Sequence, residues 1–478
     1  MRPPALTRGL TLLVLALTLV TACAQGAPAS PRAGSAAPGS ASQPAQRKVL
    51  VMGLGAILDA FSIAGSTITG GGRLGFIEIH SQALFTADKT TGRPIPRLLA
   101  EQPTLENGGL RCAFHGWLFD VSGQCLETPA EPKDSQLCKG VRQRSYPVVE
   151  RSGILWAYLG EGTPPAFPEI DCFVAPDAYT FAFKGHINCN WLQALEVGID
   201  PSHASFLHRF FEDEDTAGAY GKQFRGASAG SDMPMTKILR EYDRPIINVE
   251  HTEYGLRLIA LREIDDERTH VRVTNQLFPH AFVIPMSTEM TITQWHVPVD
   301  DENCYWYAIF TSYSTPVDKT KMRDQRLELY ELPDYRSRKN KSNDYGFDPH
   351  EQAIATFTGM GSDINVHDQW AVESMGAIQD RTSEHLGQAD KAIVQYRRML
   401  RQEIEKVSLG EKPFMFLDAA HAKSIQGPAT MDGIGPTRGW EAFWMEVDVT
   451  RRRGAPWAAP VPQEIEIDGK VRRLRAVE

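Results

Sequence analysis

Glu196-Val-Gly-Ile-Asp200-Pro-Ser-His203-Ala-Ser-Phe-Leu-His208 is the stretch on which the reading of this chain turns. It sets two imidazoles and two carboxylates within thirteen residues, and a further carboxylate, Asp368, stands far downstream. Two histidines and one carboxylate on one face of a metal, with open positions opposite, suit non-haem Fe(II) and oxygen chemistry. A lone histidine is ordinarily structural, but His203 and His208 beside Asp200 are not lone. Asp363, Glu373 and Asp380 are neighbours of Asp368, so any of these carboxylates could complete the set. His186, His296, His367 and His385 are expected to make ordinary core or surface hydrogen bonds.

Around that stretch the composition is that of a soluble globular protein: 478 residues, 42% hydrophobic, 23% charged. The length allows two or three domains with real cores. A net charge of -9 argues against nucleic acid as a partner, because phosphate binding wants a basic face. The seven cysteines are sparse and show no disulfide-framework spacing, which fits a reduced, cytoplasmic body. Cys125, Cys138, Cys172, Cys189 and Cys304 read as small buried residues.

The N-terminus points the other way. Arg2 and Arg8 precede an apolar run from Leu10 to Val20, and Leu19-Val-Thr-Ala-Cys23 follows. A basic start, a short apolar core and a terminal cysteine make a lipoprotein-type signal over residues 1–23, which would anchor the chain to a membrane. Residues 24–47 are rich in Ala, Pro, Ser and Gly and read as a disordered linker. Val49-Leu-Val-Met-Gly53-Leu-Gly55 reads as a strand meeting a turn, since Leu58 stands where a dinucleotide fingerprint needs its third glycine.

From Gly109 the character changes. Val121-Ser-Gly123, Ser145-Tyr-Pro-Val-Val149 and Ile154-Leu-Trp-Ala-Tyr158 read as a turn and short strands of a small β module over 110–165. Thr291–Val297 and Tyr305–Phe310 alternate as strands of an antiparallel sheet with one buried face. Asp390 to Val407 reads as an amphipathic helix stopped near Gly410, and the basic run Arg336–Lys341 as a solvated loop. The expected fold is α+β: a truncated β module, then an antiparallel-sheet domain with helices in a helix-grip-like arrangement over 166–430, and a C-terminal extension over 431–478.

Gly-Gly-Leu-Arg-Cys112-Ala-Phe-His115-Gly-Trp, Tyr146-Pro-Val-Val-Glu150, Asn190-Trp-Leu-Gln-Ala-Leu-Glu196 running on to His208, and Asp368-Gln-Trp-Ala-Val-Glu-Ser-Met-Gly376 carry a resemblance. From residue 109 onward the chain resembles the oxygenase (α) subunit of Rieske non-haem iron aromatic ring-hydroxylating oxygenases, nearest the phthalate dioxygenase-like group. That resemblance implies a mononuclear Fe(II) held by His203, His208 and Asp368, and a Rieske [2Fe-2S] cluster touching Cys112 and His115. It implies Asp200 as the electron bridge to a neighbouring subunit's cluster, Glu196 in support, and a homotrimer. It also implies an aromatic substrate, O2, hydroxylation or oxidative demethylation, and an NAD(P)H-dependent reductase. Arg240 or Arg257 could meet a substrate carboxylate.

A Rieske centre takes two cysteines on one iron and two histidines on the other, and the family places the first Cys-x-His pair about sixteen to twenty residues before the second. Residues 88–109 contain neither Cys nor His. Gln82–Asp88 and Arg97–Glu106 instead resemble the start of peptide-binding lipoproteins of transporters, so 48–109 reads as a fused fragment joined near Leu105–Gly109. An intact iron site with impaired electron entry is the expected outcome. The competing readings are a membrane-tethered solute-binding lipoprotein and a non-catalytic aromatic-ligand binder.

Overall fold

The computed structural model describes residues 51–54, 85–87, 94–96, 109–112, 115–160, 162–213, 229–455, 457–458, 464–467 and 470–473. The signal, the linker and most of the 48–109 fragment lie outside the described residues. Val51–Leu54 is a strand, as the sequence suggested.

The small module is built from three short strands, β1 (Gly109–Arg111), β2 (Leu118–Asp120) and β3 (Cys125–Glu127), paired antiparallel in that order. Asp120 makes the β2–β3 turn, its Oδ1 accepting from the amides of Ser122 and Gln124 at 2.8 and 2.9 Å. Asx geometry of this kind replaces a backbone turn bond. β4 (Val148–Arg151) and β5 (Ile154–Ala157) form a hairpin whose inward face, Ile154 and Trp156, is buried.

The larger body is one ten-stranded sheet. Its strands include β6 (Thr180–Ile187), β7 (Ile246–Thr252), β8 (Gly255–Glu263), β9 (Arg268–Leu277), β10 (Ala281–Pro285), β11 (Met290–Pro298) and β12 (Cys304–Ser312). They lie in the order β7-β8-β9-β10-β11-β12-β6, all antiparallel. The two strands read from alternation, Thr291–Val297 and Tyr305–Phe310, are the cores of β11 and β12 and pair directly, Ile292 opposite Phe310.

Helices close one face. α1 (Trp191–Gly198) and α2 (Ala204–Leu207) follow β6, α3 (Met235–Glu241) precedes β7, and α4 (Ile364–Ser374) and α5 (Lys391–Ser408) come after the strands. α1 packs on β10, β11 and β12, and α5 packs on β7 and β8. Gly198 permits the first contact: a Cβ there would stand 2.0 Å from the Phe282 ring. The α5 helix buries Ala392, Ile393 and Tyr396, while Ile404 and Val407 at its end stay exposed.

Two expectations need correction. Residues 431–454 are not an extension: β13 (Met431–Pro436) pairs with β9, and α6 (Trp440–Gly454) packs over both. Apolar residues Met431, Ile434, Trp444 and Met445 are buried there, which binds the segment to the core. The basic run is not all loop either, since Arg336–Ser337 is a short strand parallel to β6, with Ser337 buried. The backbone pairing is satisfied while the arginine points outward. Cys125, Cys172, Cys189 and Cys304 are buried as expected, but Cys138 is only half-buried.

Candidate metal centre

Asn190 caps α1 by accepting the Leu192 amide at 3.0 Å, and the helix ends just before Asp200. Asp200 then turns the chain, its Oδ1 accepting from the Ser202 amide at 2.7 Å. His203 and His208 flank the single-turn helix α2, and both imidazoles face inward. Asp368 arrives from the opposite side on α4, whose start is capped by Asp363 accepting the Asn365 amide at 2.8 Å.

These three side chains converge. His203 Nε2 and His208 Nε2 are 3.2 Å apart. Asp368 Oδ1 lies 3.1 Å from the second and 3.7 Å from the first. Among the described residues they are the one group of three or more potential ligands that could hold a metal ion.

The tautomers follow from the outer partners. His203 Nδ1 bonds the Asp200 carbonyl, an acceptor only, so Nδ1 carries the hydrogen and Nε2 a lone pair. His367 Nε2 lies 2.9 Å from the Gly361 carbonyl, so it too must donate, which leaves a lone pair on His367 Nδ1. That atom lies 3.4 Å from His208 Nδ1. With the hydrogen between those two nitrogens, His208 Nε2 also presents a lone pair inward. Asp368 Oδ1 is buried and accepts no hydrogen bond. Three lone-pair donors thus meet with no proton among them, an arrangement that a cation satisfies and an empty pocket does not.

Electrostatics agree. Burial, then His208, lowers His203, and burial, then His208, lowers His367.

The other carboxylates weighed for the third position are engaged elsewhere. Asp363 is the helix cap, and Asp380 caps a short turn at Thr382. Glu373 accepts from Asn188, Gln369 and Tyr345. Glu196 is not among the three converging donors. Its carboxylate takes Arg397 Nε and Nη2 at 2.6 and 2.8 Å and Arg381 at 2.9 Å, which saturates its oxygens and ties α1 to α5. Glu196, expected in support of the site, forms a buried ionic clamp between these two helices.

A cavity of about 250 Å³ opens beside the triad, walled by Ile292, Trp306 and Phe310 among others. Arg240 and Arg257 are committed away from any ligand: Arg240 to Asp213 and the Phe210 carbonyl, Arg257 to Glu250 and Tyr254. Arg262, which sequence reasoning missed, lines the cavity instead. It is 1% exposed, and its Nε and Nη1 have no hydrogen-bond partner. Its Nη2 holds the Pro201 carbonyl at 3.0 Å. Burial, then Arg272, pushes its pKa down to about 10, so it remains cationic at neutral pH. An arginine directly after the apolar stretch Leu258–Leu261 was the available signal.

Comparison with known proteins decides the family. Residues 157–443, more than half of the chain, match the model described as LigXa C-terminal domain like. Residues 96–147 match the Rieske [2Fe-2S] domain. The chain belongs to the Rieske non-haem iron oxygenases. It is 32% identical to the phthalate 4,5-dioxygenase oxygenase subunit of Pseudomonas putida, over 64% of this chain and 69% of the relative. It is 29% identical to the 5,5'-dehydrodivanillate O-demethylase oxygenase subunit of Sphingobium sp. (strain NBRC 103272 / SYK-6), over 69% of this chain and 70% of the relative. Among solved structures, dicamba monooxygenase bound to dicamba superposes with a TM-score of 0.41 at 17% identity, covering 67% of this chain and 85% of that one. The body is thus an oxygenase, and the solute-binding reading is set aside. The Rieske match begins at residue 96, so residues 96–109 go with the module, ahead of the expected join near Leu105–Gly109.

Membership implies a Rieske cluster, a mononuclear iron, and a reductase or ferredoxin partner. The iron donors fit. The cluster donors do not: within residues 96–147 the only histidine is His115, where the cluster needs two. Cys112 is exposed, and Arg111 closes its turn by donating to the Gly116 carbonyl at 2.6 Å and to Glu127 at 2.8 Å. Cys125 cannot replace the missing histidine, because it offers only a thiol where the cluster needs a second imidazole. Among the described residues no helix is long and apolar enough to cross a membrane.

Proposed function

We propose that the chain is an oxygenase subunit holding one Fe(II) through His203, His208 and Asp368 and binding an aromatic carboxylate against Arg262. The observation that carries the first half is the proton-free meeting of two imidazole lone pairs with the orphaned Asp368 Oδ1. Iron held there would supply O2 activation for ring hydroxylation or oxidative demethylation. The protein's own part is to orient the ligands through Asp200 and His367, to exclude water with the apolar wall, and to present a fixed cation to the substrate.

For the second half the support is Arg262, a buried guanidinium with two unpartnered groups beside the ligand turn. A fork of this kind matches a carboxylate bidentately. The names of relatives that act on phthalate and 3-chlorobenzoate fit that chemistry. Asp200, partly exposed at 22%, is the bridging carboxylate toward a neighbouring copy in a homotrimer. Because the chain's own cluster ligands are incomplete, turnover with a reductase is impaired, and the body is cytoplasmic.

Two titrations test this. Anaerobic Fe(II) should bind at one equivalent per chain, and o-phthalate or benzoate should then bind with Arg262→Leu weakened at least about tenfold and Arg262→Lys in between. Equal binding by wild type and Arg262→Leu would remove the carboxylate reading while leaving the iron reading intact. Acid-labile sulfide at two per chain would show that the cluster assembles after all.

A further inference from the structure

His367 was expected to be an ordinary core histidine, and its burial, at 0% exposure, fits that. A packing histidine needs only to have its polar atoms satisfied. His367 does more, because both ring nitrogens face specific partners in series. On one side stands the Gly361 carbonyl, 2.9 Å from Nε2, and on the other His208 Nδ1, 3.4 Å from Nδ1. The two rings lie near parallel, 26° apart with centroids at 5.6 Å. A backbone carbonyl cannot donate, so it dictates which nitrogen of His367 bears the hydrogen.

We propose that His367 is a positioning residue that selects the tautomer of His208 and thereby aims the Nε2 lone pair of His208 at the metal position. This rests on the iron reading given above. The path runs from the Gly361 carbonyl through His367 to His208 Nδ1–H, and so to the inward lone pair. His203 reaches the same end by a shorter route, its Nδ1 bonding the Asp200 carbonyl directly. His208 has no such carbonyl among its hydrogen-bond partners and borrows one through a second imidazole. His367 is adjacent to Asp368 on α4, so one helical turn delivers both a ligand and the group that orients another ligand. Outer partners that fix a ligating imidazole typically change metal affinity by about 10–100-fold.

The test compares His367→Gln with His367→Leu in the full chain. Glutamine reproduces both roles, its amide NH2 donating to Gly361 and its carbonyl accepting from His208. Leucine reproduces neither. Three quantities are read: Fe(II) affinity by anaerobic competition titration, thermal midpoint of the metal-free protein, and the His208 tautomer from two-bond 15N–1H correlation spectra of histidine-labelled protein. The expected result is Fe(II) affinity within about threefold of wild type for Gln and lower by about 10–100-fold for Leu, with His208 leaving the Nδ1–H form only in Leu. A purely structural role would lower the midpoint of both variants while leaving iron affinity and tautomer alike, and that outcome overturns the proposal. Equal loss of affinity in both variants overturns it as well, since glutamine should rescue. If wild-type protein binds no Fe(II), the iron reading itself fails and the proposal falls with it, a result distinct from the others because the His208 tautomer would still be read.

Discussion

The turn at Asp200–His208 and the turn at Cys112–His115 come from the same family pattern, yet only the first gathers a full set of candidate donors. In the first, two helical elements bring donors from both sides of a cavity, and each imidazole has an outer partner. In the second, one turn brings two donors to a module of three short strands, with Cys112 exposed. A metal site is therefore a property of the surrounding shell as much as of its motif. His203 and His208 are pre-aimed by hydrogen bonds, whereas the Cys112 turn is closed by Arg111, which donates to the Gly116 carbonyl and to Glu127.

The largest expected effect breaks the complete site. Asp368→Ala should weaken Fe(II) binding by more than about 100-fold, read by metal content after anaerobic loading, because a direct ligand is lost rather than an outer one. Retained iron would mean that the convergence is not a metal site. Next, Glu196→Ala should cost about 3–5 kcal/mol in denaturant unfolding, since it leaves Arg397 and Arg381 without their shared carboxylate. The iron stoichiometry of the folded fraction should stay at one, which separates the clamp from the ligand set.

Acid should also distinguish the two regions. Burial lowers His280 and His186 to about 4 in the folded body. The unfolded chain, with histidine near 6.5, takes up protons first. The contribution of these rings is thus fully present above about pH 6.5 and is lost as pH falls toward 4, by up to about 1.4 kcal/mol per pH unit for each ring. Urea unfolding at pH 7 and pH 5 checks it, and an unchanged midpoint would contradict the burial of these imidazoles. The smallest effect is expected from Cys112→Ser, which should change stability by less than about 0.5 kcal/mol and iron content not at all. A loss of iron there would show that the two turns are coupled.

Much of this was legible in the chain. Asp200, His203 and His208 are close in sequence, so their grouping needs only a local turn, and β11 and β12 announced themselves by alternation. Asp368 was one of several carboxylates until the fold engaged Asp363, Glu373 and Asp380 elsewhere. Glu196 misled because it stands one turn from Asp200, yet the direction of its side chain is set by Arg397, 201 residues away. Arg262 was hidden in a strand that otherwise reads as plain core, and Met431–Pro436 was too short to register as a strand without β9 beside it.

By itself the sequence determined the family pattern, the two candidate histidine donors and the shortage of cluster ligands, because each depends only on residue type and local spacing. Tertiary structure alone decided that Asp368 converges on the two histidines, that His367 stands between His208 and the Gly361 carbonyl, that Arg262 is unpartnered in the cavity and that residues 431–454 join the sheet. Those depend on which distant side chains compete for each polar atom, and competition of that kind is settled only when the chain has folded.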